Sequence, residues 1–429
     1  MQLPRRRFPR SFAGVPSLPA VTALAVTFGI AMTVNVAAQE VKVGVILQYT
    51  GALAEDSEQI DRGIDTFLRL NADAVKPYTI KLIKRDSKAP NGAEAKIAVQ
   101  ELLTQDKVDV LAGWLSSPDA IASAPVVNAG KKLAVIMNAG TAFITNLSPD
   151  FVRTSFSLWH ASYALGVVAA KTLHAKTAVV AYSDFPPGKD SLDAFKNSFE
   201  ANGGKVIDAI PSGGPGQVPD FTPFFQRAKD EHPDVLFVFA PAAQGVAMVK
   251  TYAALGMHAA GIKLIGTGDI VPDSRLQSMG DAAIGVITAH HYYADLDNPQ
   301  NKAFVSAWKK EYGADAMPDY LSIGGYDGMA AIVHAIQATK GKMGGDEAVT
   351  SLLGWTFDSP QGPIMIDSQT RDIVMNEYLS EVVRGADGKL HEKNLAVIEH
   401  VKDECKALAI GPCAPKTWFA TGDANHASH

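Results

Sequence analysis

Few residues in this 429-residue chain have types that could carry chemistry, and most of them sit at the ends of apolar runs. No G-x-S-x-G turn, phosphate-binding loop or G-x-G-x-x-G fingerprint follows a strand-like segment. Gly266-Thr267-Gly268-Asp269 comes nearest, but it lacks the third glycine and does not clearly open a helix. His290-His291, with Asp295 and Asp297 close behind, invites a metal reading. Neighbouring residues on a strand point to opposite faces. One ring is therefore expected inside and one outside, and no metal site is expected. Nothing marks a nucleophile, so the chain does not read as an enzyme and no cofactor is called for.

Two loops offer something different. Val108-Asp109-Val110-Leu111-Ala112 runs into Gly113-Trp114-Leu115-Ser116-Ser117-Pro118-Asp119, with a helix expected from about Pro118. Ser116 or Ser117 is then a natural N-cap, and hydroxyls, free amides and the positive end of a helix dipole meet at one place. Leu133 to Met137 runs into Asn138-Ala139-Gly140-Thr141-Ala142, again small residues with exposed amides. Side by side, the two loops would clamp a carboxylate. Taken singly, each loop is also what ordinary turn and cap chemistry produces.

The elements that must position these loops follow from the apolar pattern. Val41 to Leu47, Tyr78 to Ile83, Val108 to Ala112 and Leu133 to Met137 read as strands. Ile60, Ile64, Phe67 and Leu68, then Ile97, Leu102 and Leu103, recur at helical spacing between them. The rhythm restarts with strands at Thr177 to Tyr182, Val206 to Ile210, Asp234 to Phe239 and Lys263 to Gly266, and a helix from Asp190 to Ala201 that stops at Asn202-Gly203-Gly204. Two β-α-β series predict an α/β protein with two doubly wound parallel sheets covered by helices. Ligands of such sheets bind beyond the carboxyl ends of the strands, where both loops lie. Beyond Pro360 the chain reads as short strands with turns, among them Gly385-Ala386-Asp387-Gly388, and residues from Thr421 onward read as frayed.

The N-terminus reads as a leader. Arg5, Arg6, Arg7 and Arg10 precede an apolar stretch from about Leu18 to Val34, and Val36-Ala37-Ala38 fits small-residue cleavage after Ala38. Pro19, Thr22, Thr27, Gly29 and Thr33 interrupt the stretch and argue against a membrane anchor. Arg5-Arg6-Arg7-Phe8-Pro9-Arg10 fits a twin-arginine signal as well as a general secretory one. No later stretch is long and apolar enough to span a bilayer. Removing residues 1–38, with four arginines and no acids, leaves 35 basic against 45 acidic residues, a formal charge of −10. That balance, without basic runs, excludes nucleic acid as the expected partner. Cys405 and Cys413 are the two cysteines, and in an oxidising compartment they are expected to form one small disulfide loop.

At these residues the sequence resembles the type I periplasmic solute-binding proteins, in their leucine/isoleucine/valine-binding branch. Val41 to Gly51 is similar to the family's opening strand and loop, Ser116-Ser117 to its serine-rich loop, and Ala139-Gly140-Thr141-Ala142 to its small-residue loop. Thr177 to Val180 with Ser183 to Gly188 is similar to the start of its second lobe, and Gly324-Gly325-Tyr326-Asp327 to a late helix of its first. The resemblance implies two lobes joined by three crossovers, here 39–158 with 290–358 and 159–289 with 359–429. They close on a ligand by hinge motion. It also implies a monomer in the periplasm, read by an ABC permease. A sensory receptor subunit of the same fold and, more remotely, an exported enzyme are the rival readings. By resemblance, Ser116, Ser117, Ala139, Gly140 and Thr141 hold the ligand's carboxylate, and Asp269 stands where an acidic residue takes an α-ammonium.

The sequence departs from the amino-acid pattern. Phe185-Pro186-Pro187 replaces a more polar segment, Trp114 stands where a small or polar residue is common, and Ala240-Pro241-Ala242-Ala243 lacks an aromatic. The cleft is therefore expected to be apolar and to take either an apolar amino acid or an aromatic carboxylate. Trp114, Tyr49, Phe185 and Tyr326 are the candidates for packing against it.

Overall fold

Branched, continuous apolar runs such as Val235-Leu236-Phe237-Val238-Phe239 suit strands buried on both faces, and they form the centres of two sheets. A computed structural model of the protein describes residues 39–88, 91–218, 220–410 and 413. The predicted leader and the tail from Thr421 lie outside them. Strands β1 (Glu40–Leu47), β2 (Thr79–Asp86), β3 (Val110–Gly113), β4 (Ala134–Ile136) and β5 (Phe151–Arg153) form a five-stranded parallel sheet in the order β2-β1-β3-β4-β5.

The second sheet is larger. Strands β6 (Thr177–Tyr182), β7 (Lys205–Pro211), β8 (Val235–Phe239), β9 (Lys263–Thr267) and β10 (Ile287–His290) are parallel neighbours in the order β7-β6-β8-β9-β10. Strands β11 (Thr356–Ser359), β12 (Gly362–Ile366), β13 (Ile373–Arg384) and β14 (Leu390–Val401) extend it antiparallel through β13. The last two are one 12-residue pair, not the short strands the sequence suggests. Two register shifts along the pair and the exposed outer half of β14 blur its alternation. The chain thus has the two-lobed α/β architecture of doubly wound sheets.

Helix Tyr320–Ala338 packs on helix Ala54–Leu70 to cover the smaller sheet. A Cβ on Gly325 would meet the Ile60 carbonyl oxygen at 2.1 Å, so glycine sets how closely the two helices approach. The chain passes between the sheets at 154–157, after β5, and at 291–298, after β10. It passes a third time at 353–355, before β11. The strand β10 ends at His290, so the alternation expected across His290-His291 stops there. Both rings are buried, stacked around Phe156 and Tyr320. Among the described residues no helix is long and apolar enough to cross a membrane.

Cys405 and Cys413 are bonded, and their sulfurs pack with Ala142 and Trp159. The metal-like grouping of Asp403 with these two cysteines is therefore a disulfide beside a carboxylate, because oxidised sulfurs offer no thiolate.

Candidate functional site

Helix Ser117–Gly130 starts where sequence capping rules place it, with Ser116 at the N-cap in an extended conformation. The Ser116 side chain does not cap the helix. It accepts a 2.9 Å hydrogen bond from Nε2 of Gln48, which also donates to Asp119 at 2.8 Å. Burial pushes the Asp119 carboxyl up to about 6, against the hydrogen bonds from Ser87 and the Gly92 amide. Ser117 Oγ accepts the Thr141 amide at 3.1 Å. With its acceptor side occupied, the Ser117 hydroxyl proton is available to an anion.

The neighbouring loop is held from behind by a residue that sequence reasoning missed. Arg153, fully buried at the end of β5, donates to the carbonyls of Ala139 (3.2 Å), Thr141 (2.8 Å) and Ala142 (3.1 Å). The Ala139, Thr141 and Ala142 amides are taken by the Trp114 carbonyl, Ser117 Oγ and Asp190, which leaves the Gly140 amide for a ligand. Asp372 accepts from Arg153 Nε at 2.8 Å, and Asp403 stands 3.4 Å away. Burial raises the Asp372 carboxyl, but Arg153 and Lys406 outweigh it and hold it below the usual range. A Cβ on Gly140 would meet Leu158 Cδ2 at 2.4 Å, so a larger residue here would push the Leu158 side chain aside.

Both loops open into a cavity between the ends of the two sheets, part of it open to solvent. Ser116, Ser117, Gly140 and Asn138 line its polar end. Leu53, Leu115, Phe156, Leu158, Phe185, Phe239 and Leu321 make the walls, with Pro187, Pro215 and Pro241 at the side of the larger sheet. Phe185 and Phe239 stack with centroids 6.1 Å apart. Asp56, Asp269 and Tyr320 complete the lining. Asp269 is nearly fully buried just after β9, and its Oδ2 has no hydrogen-bond partner.

Of the residues expected from sequence, Ser116, Ser117, Gly140, Phe185 and Asp269 line this cavity. Ala139 and Thr141 stand in the same loop as its backbone support, through Trp114, Ser117 and Arg153.

Three aromatic candidates lie elsewhere. Trp114 takes a left-handed φ of 58°, which turns its indole into the core against Phe151 and leaves its carbonyl to hold the Ala139 amide. Tyr49 points to the outer side, hydrogen-bonded to Asp61. Tyr326 is wedged between Phe67 and Phe304, each 5.1 Å away. Phe156, Leu158, Phe239, Tyr320 and Asn138 line the cavity without having been singled out. Position beyond a strand end would have flagged Phe239 and Asn138. Phe156 and Leu158 come from a crossover and the helix start after it.

Residues 40–389 match the periplasmic binding protein family. The chain belongs to the type I periplasmic binding proteins of the branched-chain amino acid family. It is 36% identical over 385 residues to the Leu/Ile/Val-binding protein homolog 6 of Brucella melitensis biotype 1, covering 90% of this chain and 97% of that protein. A solved solute-binding protein of an ABC transporter from Rhodopseudomonas palustris BisB5, in complex with 3,4-dihydroxybenzoic acid, is 42% identical. Its TM-score is 0.80, over 86% of this chain and 99% of that one. An R. palustris solute-binding protein in complex with 4-hydroxybenzoate is 37% identical with a TM-score of 0.80, over 85% of this chain and 98% of that one. The family and these structural neighbours are binding proteins, and members of this periplasmic family are exported.

Proposed function

We propose that this periplasmic binding protein is the solute receptor of an ABC importer and that its ligand is an aromatic carboxylate of the benzoate class. The observation that carries the reading is the cavity's division into a small polar end, Ser116, Ser117 and Gly140, and flat apolar walls that include Phe156, Phe185 and Phe239. A benzoate has the same division, a carboxylate on an apolar ring. The Gly140 amide and the Ser116 and Ser117 hydroxyls take the carboxylate in the open state. The aromatic side of the larger sheet then adds contacts that exist only on closure, and a ligand shifts such an equilibrium by that difference. The relatives solved with dihydroxybenzoic acid and 4-hydroxybenzoate support the same class.

The remaining features are proposed with it. The leader is cleaved after Ala38, the mature chain works as a monomer, the lobes divide at the three crossovers, and the closed form is read by an inner-membrane permease. A second reading, an apolar α-amino acid, is favoured by one observation: Asp269 lines the cavity and its Oδ2 makes no hydrogen bond.

A thermal-shift series separates the two. Mature protein is titrated with benzoate, 4-hydroxybenzoate, leucine, isoleucine and valine. Ligand that binds only the folded state raises Tm by mass action. Shifts with the aromatic acids are expected. A shift with the amino acids alone overturns the aromatic reading.

A further inference from the structure

Behind the cavity lies a narrow crevice that shares Phe156, Leu158 and Asp269 with it and continues to Thr267, His290 and Glu377. Its polar atoms are poorly matched to one another. Asp269 Oδ2, Thr267 Oγ1, Glu377 Oε2 and both ring nitrogens of His290 are buried without hydrogen bonds. His290 Nε2 comes to 3.5 Å from Asp269 Oδ2, an approach too long to satisfy either group fully. Buried polar atoms are almost always paired, so such a concentration calls for a missing partner. The crevice is too tight to hold a water molecule. Of these groups Asp269 alone also lines the main cavity, so a partner for its Oδ2 can arrive there.

We infer that Asp269, with His290 Nε2 3.5 Å behind its Oδ2, reads a hydroxyl group on the ring of the bound acid. This inference rests on the aromatic-acid reading above and names the substituent that the site selects. A phenolic hydroxyl is both donor and acceptor. It donates a hydrogen bond to the Asp269 carboxylate. Asp56, the other carboxylate lining the cavity, is taken by Arg275 at 2.8 Å. An unsubstituted benzoate would enclose the Asp269 carboxylate against C–H groups and leave it without a partner. A site built to bond a hydroxyl discriminates strongly against the analogue that lacks it.

The test is calorimetric titration of mature wild type, Asp269→Ala and His290→Gln with 4-hydroxybenzoate and benzoate. Wild type is expected to prefer 4-hydroxybenzoate at least tenfold. Asp269→Ala should lose at least tenfold in affinity for 4-hydroxybenzoate and with it the preference over benzoate. His290→Gln should lower the same preference. Circular dichroism and the unliganded Tm of each variant check folding independently of either ligand. Wild type that binds both acids equally, or an Asp269→Ala variant that keeps the preference, overturns the hydroxyl assignment alone. Wild type that binds neither acid overturns the aromatic reading and this inference with it.

Discussion

Arg275, on the helix Asp273–Met279 that follows β9 of the larger sheet, places Nη2 2.8 Å from Oδ1 of Asp56, on the helix that follows β1 of the smaller one. Beside it, Ser274 Oγ donates to Asp319 Oδ2 at 2.5 Å, at the N-cap of helix Tyr320–Ala338. Both contacts join groups carried by different sheets and flank the cavity that Asp56 and Tyr320 line. They exist only while the sheets are together, so they favour the closed form whether or not ligand is present.

Arg275→Ala is therefore expected to weaken ligand affinity by ~1–2 kcal/mol, through a faster off-rate more than a slower on-rate. Asp56→Asn should cost a similar amount. In a double-mutant cycle the two losses should fall short of additive, because each variant removes the same pair. Full additivity in calorimetric titrations would show that the pair does not couple the lobes.

Ser117→Ala removes a hydroxyl whose acceptor side holds the Thr141 amide. The expected loss is ~1–3 kcal/mol of binding for any carboxylate ligand, ring-substituted or not. Titration with the free acid and with its uncharged amide checks the assignment. The amide's affinity should barely change, and an equal loss for both would move the anion end elsewhere.

The sequence made the scaffold and part of the site legible, and the reasons differ residue by residue. Val235 to Phe239 and its counterparts are unbroken apolar runs, which burial on both sheet faces demands, so the strands could be read directly. Ser116 and Ser117 were readable as a cap before a helix, and Asp269 as an acid beyond a strand end. Trp114 was misleading. It follows β3 directly, yet Gly113 and its own left-handed backbone turn the indole away from the cavity. Arg153 was silent because its ion-pair partners, Asp372 and Asp403, lie 219 and 250 residues further on. Phe156 carries no local signal either. It becomes a wall only where the crossover at 154–157 meets His291 and Tyr320.

Arg153 makes the strongest stability prediction. Its guanidinium is fully buried and joins the carboxylates of Asp372 and Asp403 to three loop carbonyls. Arg153→Met leaves Asp372 and Asp403 to share the buried cation Lys406, and breaking a buried pair costs up to ~3–5 kcal/mol. A large fall in Tm is expected. Any ligand affinity that survives should be weaker as well, because the loop 139–142 loses its anchor. A variant with unchanged Tm would contradict the network as drawn.

Asp190 predicts a pH dependence of definite sign. Its carboxyl is buried at the start of helix Pro186–Ala201 and accepts the Ala142 amide at 2.7 Å. Burial pushes its pKa up to about 8, with the Ala142 hydrogen bond opposing. In the unfolded chain an aspartate titrates near ~4. Between these values the folded protein holds a proton that the unfolded chain has released, so stability falls as pH rises. The contribution is fully present below about pH 4 and lost above about 8. Asparagine keeps an oxygen to accept the Ala142 amide and carries no charge to bury. Asp190→Asn should therefore match wild type near pH 4 and exceed it by at least ~1 kcal/mol at pH 8, read as a Tm difference that widens with pH. A difference that stays constant from pH 4 to 8 would mean that the Asp190 carboxyl titrates alike in both states and that burial does not govern it.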